Sequence, residues 1–369
     1  MISSQDLVCI TGATGFVGSS TLLHLLRAGY RVRAAVRSEA KIESVLARPQ
    51  IQALNPGSRL TFAIVPDITV PGAYDDAVEE ATHVIHIASP LASGGNAVPL
   101  SEHERRFIYP AVRGTLNMLE AADRAGSVRR VVITSSFVAL VPLEELEGTR
   151  IRDARYPVTA NDRIPFSPGP YKSEFAAYAA SKVAALQQTE DWLALQRPAF
   201  DVVHLHPGFV LGRNEMATTP AQAMQGTNSV VLALLLGGRF GPYAGATVHV
   251  EDVARAHVAA LAPRVFGGES YILSAPARWD DAIGVAKRAF RDAFKKKILV
   301  NSGSVETTPL PMDTTITEMA FRFEFASYET QVESVVEQFL ELRSRKKGSK
   351  PTADTAMKQE VNMNVRAIA

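Results

Sequence analysis

The stretch Thr11-Gly12-Ala13-Thr14-Gly15-Phe16-Val17-Gly18 decides the fold. It follows the apolar run Leu7–Thr11 and opens a helical pattern over about residues 16–28. Gly12 permits a tight turn, Gly15 lets the backbone approach a pyrophosphate, and Gly18 allows close packing of helix on strand. The helix start then offers free N–H groups and the positive end of its dipole to an anion. The spacing is GxxGxxG rather than GxGxxG, and glycines alone are weak evidence. Their place between a first strand and a first helix predicts a dinucleotide site, with Thr14, Phe16 and Val17 as further contacts.

Working outward, compact β-rich runs alternate with helical patterns over the first two hundred residues. Strands are expected at Leu7–Thr11, Arg31–Val36, 60–65, 83–87, 128–135 and 200–206, with helices at about 16–28, 39–47, 73–79, 102–125 and 174–197. Apolar runs of this kind suit a parallel sheet buried on both faces, so the expected class is α/β, a doubly wound Rossmann fold. Residues 1–207 would form the dinucleotide domain, with 143–170 a polar, proline-bearing insertion resembling a lid. After Pro207 the pattern loses regularity: a Gly-rich, helix-poor stretch reaches Gly245. Beyond it come a strand (247–250), a helix (251–261), a strand (271–273) and helices at 279–294 and 329–343. Residues 208–345 therefore read as a smaller substrate lobe, and 346–369, polar with a basic start at Arg345-Lys346-Lys347, as a flexible tail.

Composition narrows the function. The chain is 46% hydrophobic and 21% charged with net charge +1, so no global basic field argues for nucleic acid or an anionic membrane. The lone Cys9 excludes an internal disulfide and a multi-cysteine zinc site, and its apolar neighbours make it a buried strand residue. No secretory leader is visible, and the longest aliphatic run, 230–236, is far short of the ~20 residues of a spanning helix. A cytoplasmic protein is expected. His204 and His206 alternate on one strand and could share a metal, but no third ligand has suitable spacing. They read as structural, as do His86 and His249. Glu144-Glu145 and Asp75-Asp76 read as solvated charges.

Two further features carry chemistry. The second strand ends in Val36-Arg37-Ser38, with Lys41 nearby, where an acid would bond the ribose 2′-hydroxyl of NAD. A guanidinium and an ammonium there suit a 2′-phosphate, so NADP(H) is expected. Tyr178 and Lys182 stand four apart on a helix and so share a face. An ammonium beside a phenol favours the phenolate and would lower its pKa toward the working range. Thr134-Ser135-Ser136 ends the fifth strand, where a hydroxyl can donate to a carbonyl oxygen gaining charge.

With these elements in order, the chain resembles an extended short-chain dehydrogenase/reductase. The branch is that of dihydroflavonol reductases, cinnamoyl-CoA reductases and fungal aldehyde and ketone reductases. TGATGFVG (11–18), VRAAVRS (32–38), VIHIASP (84–90), VRGTLNMLEAA (112–122), VVITSS (131–136), YAASK (178–182), HPGFVLG (206–212) and VHVEDVARAH (248–257) carry the likeness. The resemblance implies that Ser136 orients the carbonyl, Tyr178 donates the proton and Lys182 holds the ribose. It also implies that Asp67 and Ile68 flank the adenine, Ala88 lines the nucleotide groove, and Pro207 to Val210 pass near the nicotinamide. His206 departs from the family's usual asparagine. Phe137, Phe166, Tyr171 and Phe175 are candidates for an apolar pocket wall.

The expected activity is NADPH-dependent reduction of a ketone or aldehyde on a medium-sized, partly apolar small molecule, by resemblance in secondary metabolism. Two alternatives are carried: a sugar-nucleotide epimerase or hydroxysteroid dehydrogenase on the same scaffold, and an NADPH-binding redox-sensing regulator. The partner is a small-molecule carbonyl substrate, with no nucleic acid and no membrane; the chain would be a monomer or homodimer.

Overall fold

A computed structural model describes residues 6–91 and 98–346. Twelve strands occur among them: β1 (Leu7–Thr11), β2 (Arg31–Val36), β3 (Leu60–Ile64), β4 (His83–His86), β5 (Arg130–Thr134), β6 (Asp201–Pro207), β7 (Phe209–Leu211), β8 (Arg239–Ala244), β9 (Ala246–His249), β10 (Ser270–Leu273), β11 (Ala275–Pro276) and β12 (Ser304–Thr308). Seven form one parallel sheet in the order β10-β6-β5-β4-β1-β2-β3. The winding reverses between β1 and β4, which places a crevice outside their carboxyl ends.

Helices cover both faces. Val8, Ile10, Ala34, Ile85 and Leu205 pack beneath the helices Phe16–Arg27 and Val250–Ala259. Cys9, Val84, Val131 and Val202 face the helices Tyr109–Ala125 and Glu174–Gln196. Burial pushes the Cys9 thiol up to about 12, leaving it a packing residue. Residues beyond Pro207 add a three-stranded sheet (β11-β9-β7) and the pair β12-β8 around Phe209, Tyr243, Trp279 and Phe339.

Several expectations change. The seventh strand, β10, comes from beyond Pro207 and pairs with β6, so residues 1–207 alone do not complete the sheet. The stretch to Gly245 is not helix-poor: it holds β7, β8 and the fully buried helix Asn228–Leu235. Its uniform apolarity hides a helical period. The helix expected over 102–125 has two parts, because Pro110 lacks an N–H and crowds the carbonyl of Arg106; the chain widens into a π turn (Glu104–Ile108) ahead of Tyr109–Ala125. The helix expected over 279–294 breaks at Phe290 (φ −123°, ψ 47°), whose ring joins the second-lobe core. The last helix runs Tyr328–Lys346, so Arg345 and Lys346 are helical rather than tail; 347–369 lies outside the described residues.

The insertion 143–170 is tied down by distant partners. Val158 donates its N–H to Pro311 O (2.9 Å) and accepts from Asp313 N (2.8 Å). Glu145 is not solvated: it is buried and paired with Arg150 (2.9 Å) and Arg152 (2.7 Å), which compensate its desolvation.

Candidate active site

The glycine turn has little slack. Gly12 sits at φ +74°, and a Cβ there would lie 3.0 Å from Ala88 N. A Cβ on Gly18 would fall 2.0 Å from Gly12 O, so only hydrogen fits. Gly15 is exposed and precedes the helix Phe16–Arg27, which no side chain caps. Thr14, Phe16 and Val17 lie partly exposed around it. A cradle a Cβ would fill, beside an uncapped helix start, suits a pyrophosphate.

Arg37 and Lys41 are both exposed just past β2. Asp67 stands close enough for Arg37 to favour its ionised form, but the larger cause of its depressed pKa is bonding from Thr69. Its carboxylate accepts from Thr69 N (2.8 Å) and Thr69 Oγ1 (2.7 Å). Ile68 is held from behind, its carbonyl accepting from Asn117 Nδ2 at 2.8 Å. Ala88 donates its N–H to Thr11 Oγ1 (3.0 Å), fastening the carboxyl end of β4 to that of β1. Pro207 and Val210 are buried, Val210 packing in the core beneath the first helix.

The helix Glu174–Gln196 starts at Ser173, whose Oγ accepts from Ala176 N at 3.0 Å. Tyr178 and Lys182 lie one turn apart on it, with Lys182 Nζ 5.7 Å from the phenol ring centre. Ser136, extended at the end of β5, stands near enough to Tyr178 for its hydroxyl to favour the ionised phenol. The three candidate catalytic groups therefore converge. Lys182 Nζ also donates to Ser89 Oγ at 3.0 Å.

The electrostatics correct one expectation. Burial raises the Tyr178 pKa, and the opposing pull of the Ser136 hydroxyl is smaller. The lysine does not win: its own ammonium is pulled down to about 8 by the same desolvation. Tyr178 thus rests as a neutral phenol, the form that can give a proton away.

Sequence reasoning missed the groups behind this triad. His206 lies between β5 and β10, its Nδ1 3.2 Å from Ser136 O and its Nε2 3.3 Å from Ser270 Oγ. Arg163, from the insertion, donates to Ser270 Oγ (3.3 Å) and pairs with Glu190 on the helix Glu174–Gln196 (2.7 Å). His86, His204 and His206 are driven down to about 3, 4 and 3 by burial and stay neutral. Among the described residues, no group of three His, Cys, Asp or Glu could hold a metal ion. The aromatic wall does not form as one surface. Phe137 and Phe175 join the second-lobe core, whereas Phe166 and Tyr171 pack with Phe107 and Ile108.

A Rossmann sheet with a glycine cradle and a Ser–Tyr–Lys cluster at its carboxyl edge defines a class, and the chain belongs to the NAD dependent epimerase/dehydratase family, whose profile matches residues 8–273. Among curated proteins it is similar to ketoreductase CTB6 of Cercospora nicotianae, 38% identical over 94% of this chain and 98% of that one. Ketoreductase sphI of Aspergillus fumigatus is 33% identical over 92% of this chain and 98% of its own. In fold it is similar to yeast methylglyoxal/isovaleraldehyde reductase Gre2, solved with NADPH, at TM-score 0.76 and 23% identity, covering 92% and 99% of the two chains.

Proposed function

We propose that this protein is an NADPH-dependent ketoreductase that reduces a ketone or aldehyde on a medium-sized, partly apolar small molecule of secondary metabolism. The observation that carries this reading is the convergence of Ser136, Tyr178 and Lys182, with the phenol held neutral. The names of the two fungal ketoreductases, matched along nearly their whole length, support it.

The glycine cradle Gly12, Gly15 and Gly18, with Thr14, Phe16 and Val17, would hold the pyrophosphate. Arg37 and Lys41 would pair with the 2′-phosphate, Asp67 and Ile68 would flank the adenine, and Ala88, Pro207 and Val210 would border the nucleotide's path. When bound, NADPH supplies the hydride. Ser136 O–H and Tyr178 O–H point their protons at the oxygen that gains charge, and Tyr178 transfers its proton there. The Lys182 ammonium steadies the phenolate left behind and holds the ribose.

The test is NADPH oxidation across aromatic, aliphatic and polyketide-type ketones, with NADH in parallel. Tyr178→Phe should lower kcat by at least ~10³-fold, as loss of a general acid does, while NADPH affinity stays within about twofold. Unchanged turnover in that variant, or turnover of sugar nucleotides alone, would overturn the reading.

A further inference from the structure

Behind the catalytic serine, a line of side chains joins the main sheet to the insertion at 143–170. Ser135 N donates to Leu205 O at 2.8 Å, carrying the β5–β6 ladder one residue past Thr134. The next rung would need an N–H from Pro207, which has none, so the ladder stops and Ser136 leaves the sheet. Its carbonyl is held by a side chain instead, with His206 Nδ1 3.2 Å from Ser136 O. Across the ring, His206 Nε2 stands 3.3 Å from Ser270 Oγ, at the start of β10. Arg163 in turn donates to Ser270 Oγ at 3.3 Å. His206, Ser136 and Ser270 are all buried.

The partners fix the direction of every proton in this line. A carbonyl can only accept, so His206 carries its proton on Nδ1 and donates to Ser136 O. Burial drives the imidazole down to about 3, so the ring is neutral and Nε2 is a bare acceptor. The Ser270 hydroxyl supplies it, O–H to Nε2. A lone pair of that hydroxyl receives the Arg163 guanidinium, which has donors and no acceptor. Arg163 is itself anchored by Glu190 (2.7 Å) and by its own bond to Ala160 O (2.9 Å). With both ring nitrogens engaged, the imidazole has none left for substrate or cofactor.

We propose that His206 and Ser270 are positioning residues: they hold the peptide plane after Ser136 and so aim its hydroxyl at the substrate oxygen, with Arg163 setting the Ser270 hydroxyl from the insertion. The serine needs such support. Its own Oγ accepts from Val138 N at 3.4 Å, long for a hydrogen bond, so its aim depends on its backbone. A reacting group displaced by about 1 Å can cost 10²-fold in rate, and one merely loosened costs less. Residues 143–170 thereby reach the reacting centre through three hydrogen bonds, although Arg163 touches none of the catalytic side chains directly. The proposal rests on the role given to Ser136 in the ketoreductase reading.

The test is a double-variant cycle, with single-turnover NADPH oxidation as the readout. Ser270→Ala breaks the line at its middle and should slow reduction by about tenfold, with NADPH affinity within about twofold. In a Ser136→Ala background the same change should cost less than about twofold, because the group it aims is gone. A merely structural serine would cost the same in both backgrounds. His206→Asn separates the two bonds of the ring. The amide nitrogen sits two bonds beyond Cβ, as Nδ1 does, and can still serve Ser136 O, but nothing reaches Ser270. It should match Ser270→Ala, and the two together should be no slower than either alone to within about twofold. Full activity in Ser270→Ala, or an equal loss with and without Ser136, overturns the proposal. The unaltered enzyme supplies a measurement that needs no variant. In ¹⁵N NMR of the histidine rings, His206 should carry its proton on Nδ1 at neutral pH, with Nε2 bare. A proton on Nε2 overturns the proposal. Failure of the unaltered enzyme to reduce any ketone would strike the ketoreductase reading, whereas the ring tautomer is read without turnover.

Discussion

The glycine turn at residues 11–18 and the insertion at 143–170 are held in opposite ways. The turn is fixed by its own backbone: Gly15 N donates to Gly12 O at 2.9 Å, and Gly18 presses on the same carbonyl. The insertion is fixed by residues far along the chain. Val158 borrows its backbone partners from Pro311 and Asp313, and Arg163 reaches Ser270 and Glu190. A segment built on local geometry leaves a spaced signature in its residues, while one built on borrowed contacts leaves only composition. The part expected to set substrate choice is therefore the part written least locally.

That contrast can be broken at either end. Gly18→Ala should have the largest effect, since its Cβ meets backbone at 2.0 Å. NADPH affinity should fall by at least ~100-fold, about 2.7 kcal/mol, in a fluorescence titration. Retained affinity would mean that the turn is not the cradle. Glu145→Ala leaves Arg152 without its buried partner and should cost ~2 kcal/mol of stability by denaturant unfolding. Cofactor affinity should hardly change and substrate KM should rise; a loss of NADPH binding instead would show that the two regions are coupled. Arg37→Glu sharpens the cofactor side more gently. It should cut the preference for NADPH over NADH by roughly tenfold, about 1.4 kcal/mol, with thermal stability unaltered.

The smallest effect is in pH. With Lys182 near 8, the ammonium is complete below that value and is lost above it, so turnover should be flat toward neutral pH. It should fall about tenfold per unit once pH passes the lysine's pKa. The raised Tyr178 pKa keeps the donor protonated across the same range. A rate that climbs through pH 9 would contradict both assignments.

How much was legible varied with the range of the interaction. Six strands of the main sheet and the helix bearing Tyr178 could be placed from apolar runs, because the inner strands bury nearly every residue and the helix a whole face. The break at Phe290 and the burial of Glu145 could not, since a ring turning into a distant core and an acid meeting two arginines depend on neighbours absent from the local sequence. The pKa of Tyr178 shows the same limit. Helical spacing brought an ammonium near, but the desolvation that outweighs it comes from the whole enclosure.

The sequence by itself determined the glycine turn, the Tyr178–Lys182 spacing and the strand-end Ser136. Each is a short-range pattern whose geometry follows from backbone sterics and helical periodicity. Only the tertiary structure decided that β10 completes the sheet and that His206, Ser270 and Arg163 stand behind the serine. It alone also set the charge state of the phenol and brought Ser89 within hydrogen-bond reach of Lys182. These depend on burial and on contacts between residues as much as 107 positions apart, and burial is a property of the packed chain rather than of any stretch of it.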